Sequence, residues 1–325
     1  MKDLSLEYYV DVSDRSILGM EGPDGLDLLQ RISTNDLSQL KPGEHAETVL
    51  TNEKGRIVDV LIVFRVAANS LVLAGASKGG SLLSTWIEKF VVTEDIRLTS
   101  LSSERFQLLM LCDKAIKPST HFVRQQSLFA QIKYSSSSHS LLIGEQNSKA
   151  STLAYLEENG FRRLTMGEYE LYRVLNSVPG HPNELSAQFN PLEVGLIPQV
   201  SFTKGCYVGQ EVIARLDTYN KVQRSICRLR LTDSPAQLPI SLFTKEGEEA
   251  GILTSFARMG EPGDQLRGLG IIQKDRQDGR MFFSSAADRI HGSADVLQPL
   301  ATGDSNHANV VLHSQSELNS NDSTK

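Results

Sequence analysis

Apolar positions in the first ninety residues recur with helical spacing in some stretches and as short continuous runs in others. After the turn residues Gly22–Gly25, leucine and isoleucine recur at every third or fourth position as far as Ile32, which predicts a helix. Two apolar runs flank a turn that ends in Gly55, which predicts a β-hairpin with a positive φ at this glycine. The predicted elements are a helix after Gly25, strands at 45–51, 56–66 and 70–74, and a helix at 78–90 that carries Trp86.

The rest of the chain predicts a second sheet and then a small β-barrel. Strand-like runs fill residues 105–144, and helical spacing returns later; the predicted helices lie at 149–159, 166–176 and 209–216. The stretch 177–204 holds four prolines and has no clear period, and loops this long inside compact domains are often functional. Short strands with Gly and Pro turns at 222–297 predict a barrel. The fold class is therefore α+β, with an α+β region at 1–220, a barrel at 221–300 and a disordered polar tail at 301–325.

Composition excludes several classes of function. The 325 residues carry a formal net charge of −6, so we expect no stable direct nucleic-acid binding. No apolar run is long enough to span a bilayer, and the N-terminus lacks the features of a secretory signal. Three cysteines without a CxxC pair fit a reducing compartment and predict no metal site. These features predict a cytoplasmic protein, or a plastid stromal protein from which a transit peptide has been removed.

The run from Ser201 to Glu211 holds the densest candidate chemistry. Lys204 stands two residues before Cys206, and a nearby cation favours the thiolate form of a cysteine. A helix that begins near Gly209 would add the positive end of its dipole. Each residue also has a structural reading, because lone cysteines are commonly buried hydrophobes and lysines are commonly solvated charges. The spacing alone leaves both readings open.

Lys204–Glu211, which we call the signature segment, reads K-G-C-Y-V-G-Q-E and resembles the K-G-C-Y-x-G-Q-E signature of the YgfZ proteins. The resemblance covers about residues 10–275, and the runs 190–193 and 214–219 are similar to the cyanobacterial and plastid branch of that family. It implies a multi-lobed, ring-like fold of the glycine-cleavage T-protein type, with a central channel for tetrahydrofolate or a derivative. It also implies a role in supporting iron–sulfur enzymes, including tRNA-modifying ones, so the implied partners are a reduced folate and iron–sulfur client enzymes.

The resemblance also implies a set of functional residues. Cys206 and Lys204 would form the functional pair, while Cys112 and Cys227 read as packing residues. The residues implied in folate binding are Asp59, Asn35, Tyr207, Gln210, Glu211 and Arg215. Glu211 and Arg215 are spaced to pair on one helix face. For Asp59 and Asn35 the alternative is a purely structural role in a strand or a turn.

Two departures from the T-protein pattern argue against glycine-cleavage chemistry. Val60 stands where a T-protein has the second of two acidic residues, and Leu175 replaces the glutamate that holds the pteridine. Arg173, two residues before Leu175, reads as a charge on the helix surface. We therefore expect a folate-binding accessory protein rather than an enzyme. The alternatives are an aminomethyltransferase of the T-protein type and a non-catalytic interaction protein on the same fold.

Overall fold

The computed structural model describes residues 7–111, 122, 125–134, 138–219, 221–260, 265–277, 280–284 and 291–299. The chain divides into two compact units. The first unit comprises Met1–Leu164 and Pro179–Gln223, and the second comprises Thr165–Val178 and Arg224–Lys325. The predicted tail at 301–325 and Cys112 lie outside the described residues.

The first unit contains two five-stranded sheets. One sheet has the order β3 (His45–Thr51), β4 (Ile57–Ala67), β5 (Ser70–Lys78), β2 (Arg15–Glu21) and β6 (Arg97–Ser100). The other has the order β10 (Phe161–Arg163), β1 (Glu7–Asp11), β7 (Arg105–Leu111), β9 (Ser138–Glu145) and β8 (Leu128–Lys133). Helices of this unit are α1 (Gly25–Ile32), α2 (Ser81–Glu88), α3 (Lys149–Glu158) and α5 (Gln210–Thr218).

The first sheet forms the core that supports the candidate site. Helix α1 buries Leu28, Leu29 and Ile32 against strands β2, β4 and β5, and Leu26 is partly buried beside them; this core also includes Leu61 and Leu73. The β3–β4 hairpin has Gly55 at φ +66°, as its sequence predicts. Asn52 closes the turn, because its side-chain oxygen accepts hydrogen bonds from the backbone N–H groups of Lys54 and Arg56.

The helix predicted from residue 78 begins later than expected. Strand β5 continues to Lys78, and α2 starts at Ser81. Gly79 and Gly80, at φ +80° and +73°, separate the two elements. Because two successive residues with positive φ cannot belong to a right-handed helix, the strand and the helix are distinct here.

The second unit consists of helix α4 (Met166–Leu175) and a closed six-stranded barrel, which confirms the predicted barrel and the α+β class. Around the barrel the strands follow the order β11 (Arg224–Leu231), β14 (Leu266–Gln273), β13 (Glu249–Arg258), β12 (Ile240–Phe243), β15 (Arg280–Ser284) and β16 (His291–Pro299). The capping box of Thr165 and Glu168 fixes the start of α4.

Arg173 on α4 is buried, so the surface position predicted from the sequence is wrong. Its Nε donates to the Glu170 carboxylate at 2.8–2.9 Å, and its guanidinium donates to Ser255 Oγ on β13 at 2.6 Å. These hydrogen bonds satisfy a cation that is only 1% exposed. Arg173 therefore links α4 to the barrel within the second unit.

Candidate functional site

Residues Ser201–Val208, which we call the 201–208 loop, run beside the end of helix α1. The Ser201 N–H donates to the carbonyl oxygen of Thr34 at 3.0 Å, and the Val208 N–H donates to that of Arg31 at 3.2 Å. Thr51 Oγ1 on β3 donates to the Val208 carbonyl at 2.6 Å. The loop is thus hydrogen-bonded at one end to the turn after α1 and at the other end to α1 and β3.

Lys204 points into the protein and is 8% exposed. Its Nζ donates to the carbonyl oxygens of Gln30, Ser33 and Asn35, at 2.7, 2.9 and 2.5 Å. Burial lowers the pKa of Lys204 to about 8, and the charge of Asp36 opposes this shift. The predicted Lys–Cys pairing therefore receives no support from the lysine, whose ammonium group contacts helix α1 and the turn after it.

Cys206 is exposed, whereas the tyrosine beside it is buried. Tyr207 packs with Leu192, Val200 and Ile213, and burial raises the pKa of its hydroxyl to about 12. Lys204 Nζ lies 5.4 Å from the centre of the Tyr207 ring. The signature segment therefore presents its thiol to solvent between two residues that are fixed in the interior.

Gly209 allows α5 to begin directly against the β3–β4 hairpin. Its φ is +83°, and a Cβ there would lie 2.4 Å from the carbonyl oxygen of Asn52. Gln210 is the first residue of α5, and its side-chain oxygen accepts from the Tyr207 N–H at 3.3 Å. The predicted helix is confirmed, and it extends to Thr218.

Glu211 and Arg215 are both exposed on α5. In the described part of the chain, no N···O contact within 4.0 Å joins these two side chains, so they do not form the ion pair that their spacing predicts. Two long side chains lose rotamer freedom when they pair in water, so such pairs contribute little. Both side chains remain open to solvent, and their predicted part in folate binding stays a prediction.

Asp59 lies on β4 and is 1% exposed. Its Oδ1 accepts hydrogen bonds from the backbone N–H groups of Val60, Ala76 and Ser77, at 2.8, 3.0 and 3.0 Å. Its Oδ2 accepts from Ser77 Oγ at 2.5 Å. Desolvation raises the pKa of Asp59, and these hydrogen bonds oppose the rise. Protein donors therefore already occupy both carboxylate oxygens that were predicted to contact folate.

Asn35 belongs to the turn after α1 and contacts the signature segment. Its Nδ2 donates to the Glu47 carbonyl at 2.7 Å, and its Oδ1 accepts from the Asp36 N–H at 2.9 Å. Its own carbonyl is one of the three acceptors of Lys204 Nζ. The structure thus brings Asn35, Lys204 and Tyr207 together, while the hydrogen bonds of Asp59 go to β4 and β5.

His181 was not among the residues that the sequence singled out. It is half-buried, its Nδ1 has no hydrogen-bond partner in the part of the chain that the structure describes, and it lies in the electrostatic range of Asp59. Burial lowers the pKa of His181, and the charge of Asp59 opposes this shift. A single histidine in an irregular stretch has no periodic signal, so only the fold reveals its proximity to Asp59.

The remaining predictions concern cysteines, metals and membranes. Cys227 is fully buried in the barrel, where desolvation raises its pKa to about 12, so its predicted packing position is confirmed. Among the described residues, no cluster of three His, Cys, Asp or Glu side chains could hold a metal ion. Within the same ranges, every helix is too short or too polar to cross a membrane.

Comparisons with known proteins agree with this architecture. Residues 8–164 match the model of the GCVT N-terminal domain. A putative chloroplastic transferase of Arabidopsis thaliana is 27% identical over 82% of this chain, and the match spans 65% of that relative, less than two thirds of its length. An aminomethyltransferase of Natranaerobius thermophilus is 24% identical, with 82% of this chain and 78% of the relative covered.

A solved structure shows the same fold. The glycine cleavage system aminomethyltransferase T from Bartonella henselae superposes with a TM-score of 0.70 at 19% identity, and the match covers 92% of this chain and 87% of that one. Such low identity carries information on the fold alone. Residues 8–164 are therefore similar to the GCVT N-terminal domain, and the chain shares its fold with the glycine cleavage system aminomethyltransferase T.

Proposed function

We propose that the protein binds a reduced folate and acts as an accessory factor that supports iron–sulfur enzymes, including tRNA-modifying ones. The observation that carries this proposal is the exposed Cys206 within the signature segment, held between the buried residues Lys204 and Tyr207. A fold that needed this cysteine only for packing would bury the thiol, as the barrel buries Cys227. The choice of a folate as ligand and of iron–sulfur enzymes as clients comes from the resemblance of this segment to the YgfZ signature.

The exposed thiol gives the signature segment a reactive group, which a non-catalytic interaction protein on the same fold does not need. A thiolate is a nucleophile and a soft metal ligand, so an exposed cysteine on a hydrogen-bonded loop can react with or bind a partner. The partner of Cys206 is a folate adduct, a sulfur species or a client protein. All three need access to the sulfur atom, which the structure provides.

Aminomethyl transfer is the second candidate, because several relatives carry the name aminomethyltransferase. Two residues of this chain argue against aminomethyl transfer. Val60 and Leu175 are apolar where the T-protein pattern has carboxylates, and Leu175 is buried. Transfer chemistry depends on groups that bind and polarise the folate at its reacting nitrogen. We therefore expect no aminomethyltransferase activity.

Calorimetry and complementation together test the proposal. We expect tetrahydrofolate to bind wild type, and we expect Cys206→Ser to keep the fold because the thiol is exposed and contributes nothing to the core. In a strain that lacks its own YgfZ protein, Cys206→Ser should fail to restore iron–sulfur enzyme activity.

Cys227→Ser is the matched control and should complement if it folds, since Cys227 is buried in the barrel. Full rescue by Cys206→Ser would refute a functional thiol. An absence of both heat and thermal stabilisation at millimolar tetrahydrofolate would refute folate binding. Release of ammonia from aminomethylated H-protein at rates typical of a T-protein would instead establish the transferase.

A further inference from the structure

The last carbonyl groups of helix α1 accept hydrogen bonds from the C-cap residue Ser33 and from the 201–208 loop. The final four carbonyls of any α-helix lack partners inside the helix. In α1, Ser33 Oγ donates to the Leu29 carbonyl at 2.7 Å. Lys204 Nζ donates to the Gln30 carbonyl, and the Val208 N–H donates to the Arg31 carbonyl. Two of these three donors come from the 201–208 loop.

The ammonium group of Lys204 suits the end of this helix in both charge and geometry. The carboxyl end of a helix carries partial negative charge, which a cation stabilises. An ammonium group has three N–H donors and no acceptor. Three backbone carbonyls, those of Gln30, Ser33 and Asn35, lie within 2.5–2.9 Å of Nζ.

The acceptors of Lys204 are all on α1 and the turn that follows it. Nζ donates to the carbonyls of Gln30, Ser33 and Asn35, and Gln30 Oε1 lies 3.3 Å away as a fourth acceptor, so the three protons of the ammonium group have partners other than a thiolate. Cys206 is exposed, whereas Lys204 is 8% exposed, so the two side chains occupy different environments. Activation of the thiol by Lys204 therefore does not fit the observed contacts.

We propose that Lys204 is a positioning residue: it caps the carboxyl end of α1 and thereby holds the 201–208 loop so that Cys206 faces solvent in a fixed place. This inference rests on the proposed function only in giving the fixed thiol a purpose. The cap itself stands on the contacts of Lys204. Together with the hydrogen bonds of Ser201 and Val208, it gives the loop three attachment points along α1 and the following turn.

A spin label on Cys206 tests this role directly. In a Cys112→Ser, Cys227→Ser background, a nitroxide attached to Cys206 reports loop motion through its EPR line shape. We expect a broad, restricted spectrum with Lys204 present and a sharp, mobile spectrum in Lys204→Met. Lys204→Arg keeps the charge, but its planar fork cannot present three protons from one nitrogen, so it should also give a sharp spectrum. Lys221→Met removes an exposed lysine and serves as the matched control, with the spectrum unchanged.

Two further readouts separate positioning from thiol activation and from general destabilisation. Amide exchange of Ser201 and Val208 should accelerate on the order of tenfold in Lys204→Met, while exchange in the barrel strands stays the same. The midpoint pH of Cys206 alkylation by iodoacetamide should not move. A midpoint shifted to higher pH in Lys204→Met, but not in Lys204→Arg, would overturn the proposal in favour of charge activation.

An unchanged EPR spectrum in both Lys204 variants would also overturn the proposal. If Lys204→Met fails to fold, Lys204→Arg carries the same test with the charge retained. None of these measurements uses folate or an iron–sulfur client. A failure of the cap therefore leaves the proposed function standing, and a failure of folate binding leaves the cap standing.

Discussion

Within the signature segment, two glycines have opposite steric surroundings. A Cβ on Gly209 would approach the Asn52 carbonyl oxygen to 2.4 Å, and its φ of +83° is unfavourable for other residues. A Cβ on Gly205 would have no heavy atom within 4 Å. Packing thus requires glycine at position 209. At position 205, next to the exposed thiol, there is space for a larger side chain.

Replacing each glycine with Ala tests this difference, and Gly205 serves as the control for Gly209. Gly209→Ala should lower the free energy of unfolding by about 3 kcal/mol, because a left-handed backbone costs roughly 1–2 kcal/mol and the clash adds to it. Gly205→Ala should change it by less than about 0.5 kcal/mol. Urea unfolding measures both. Equal losses in the two variants would show that the loop does not pack on the hairpin as described.

Replacing Asp59 with Asn separates the effect of the side chain's shape from the effect of its charge. Asn has the same shape; its carbonyl can accept the three backbone hydrogen bonds, and its amide can donate to Ser77 Oγ. Asp59→Asn should therefore fold with nearly wild-type stability. Asp59→Ala leaves the backbone donors of Val60, Ala76 and Ser77 without this acceptor, at about 1–3 kcal/mol for each that water does not reach.

The pH dependence of the Asn variant has a definite sign. Because the pKa of Asp59 is raised in the folded state, the protonated carboxyl stabilises the fold below the ordinary pKa, and this contribution is lost as pH rises through the folded pKa. Wild type should therefore gain stability relative to Asp59→Asn when the pH is lowered from 7 towards 4. Urea unfolding of both proteins across this range measures the difference. A difference that is independent of pH would contradict the raised pKa.

At the scale of elements, apolar spacing and turn residues predicted the helices and hairpins that depend on neighbouring residues in the sequence. Helix α1, the β3–β4 hairpin and helix α5 follow from apolar spacing and from the position of Gly55, and the structure confirms all three. The late start of α2 was missed because residues 77–81 carry no apolar side chain that would mark the change of period, and the positive φ of Gly79 and Gly80 is visible only in the structure. The order of strands within each sheet is set by contacts between distant segments, which periodicity does not encode.

The contacts of charged side chains escaped prediction for the same reason. Lys204 and Gln30 are 174 positions apart, and Arg173 and Ser255 are 82 apart, so neither hydrogen bond leaves a mark in the spacing of residues. A buried cation looks like a solvated cation in sequence, because burial is tolerated only where distant acceptors converge. The exposure of Cys206 likewise depends on how its neighbours Lys204 and Tyr207 pack, and the sequence does not show this packing.

For the molecule as a whole, chain order and structural units do not coincide. The chain leaves the first unit after Leu164, contributes Thr165–Val178 to the second unit, returns at Pro179, and enters the barrel at Arg224. Helix α4 thus packs with a barrel that begins 46 positions after the segment ends. Arg173 reaches Ser255 on β13, and Arg228 on β11 donates to the Leu175 carbonyl at 2.9 Å. A boundary drawn near residue 220 would separate this helix from its strands.

The discontinuous unit predicts how fragments of the chain will behave. A fragment of residues 224–299 lacks α4, so the barrel surface that α4 covers meets water and Ser255 loses its guanidinium partner. We expect this fragment to be less stable than a fusion that carries Thr165–Val178 on a flexible Gly/Ser linker, which supplies the helix at high effective concentration. Urea unfolding followed by circular dichroism, with dispersion of amide signals in NMR spectra, compares the two. The same fusion with Arg173→Met is the matched control and should recover only part of the stability, because it keeps the packing of α4 but lacks the hydrogen bond from the guanidinium to Ser255 on β13. Equal stability of the bare barrel and the intact fusion would show that α4 is dispensable to the barrel and that the boundary near residue 220 is physically sound.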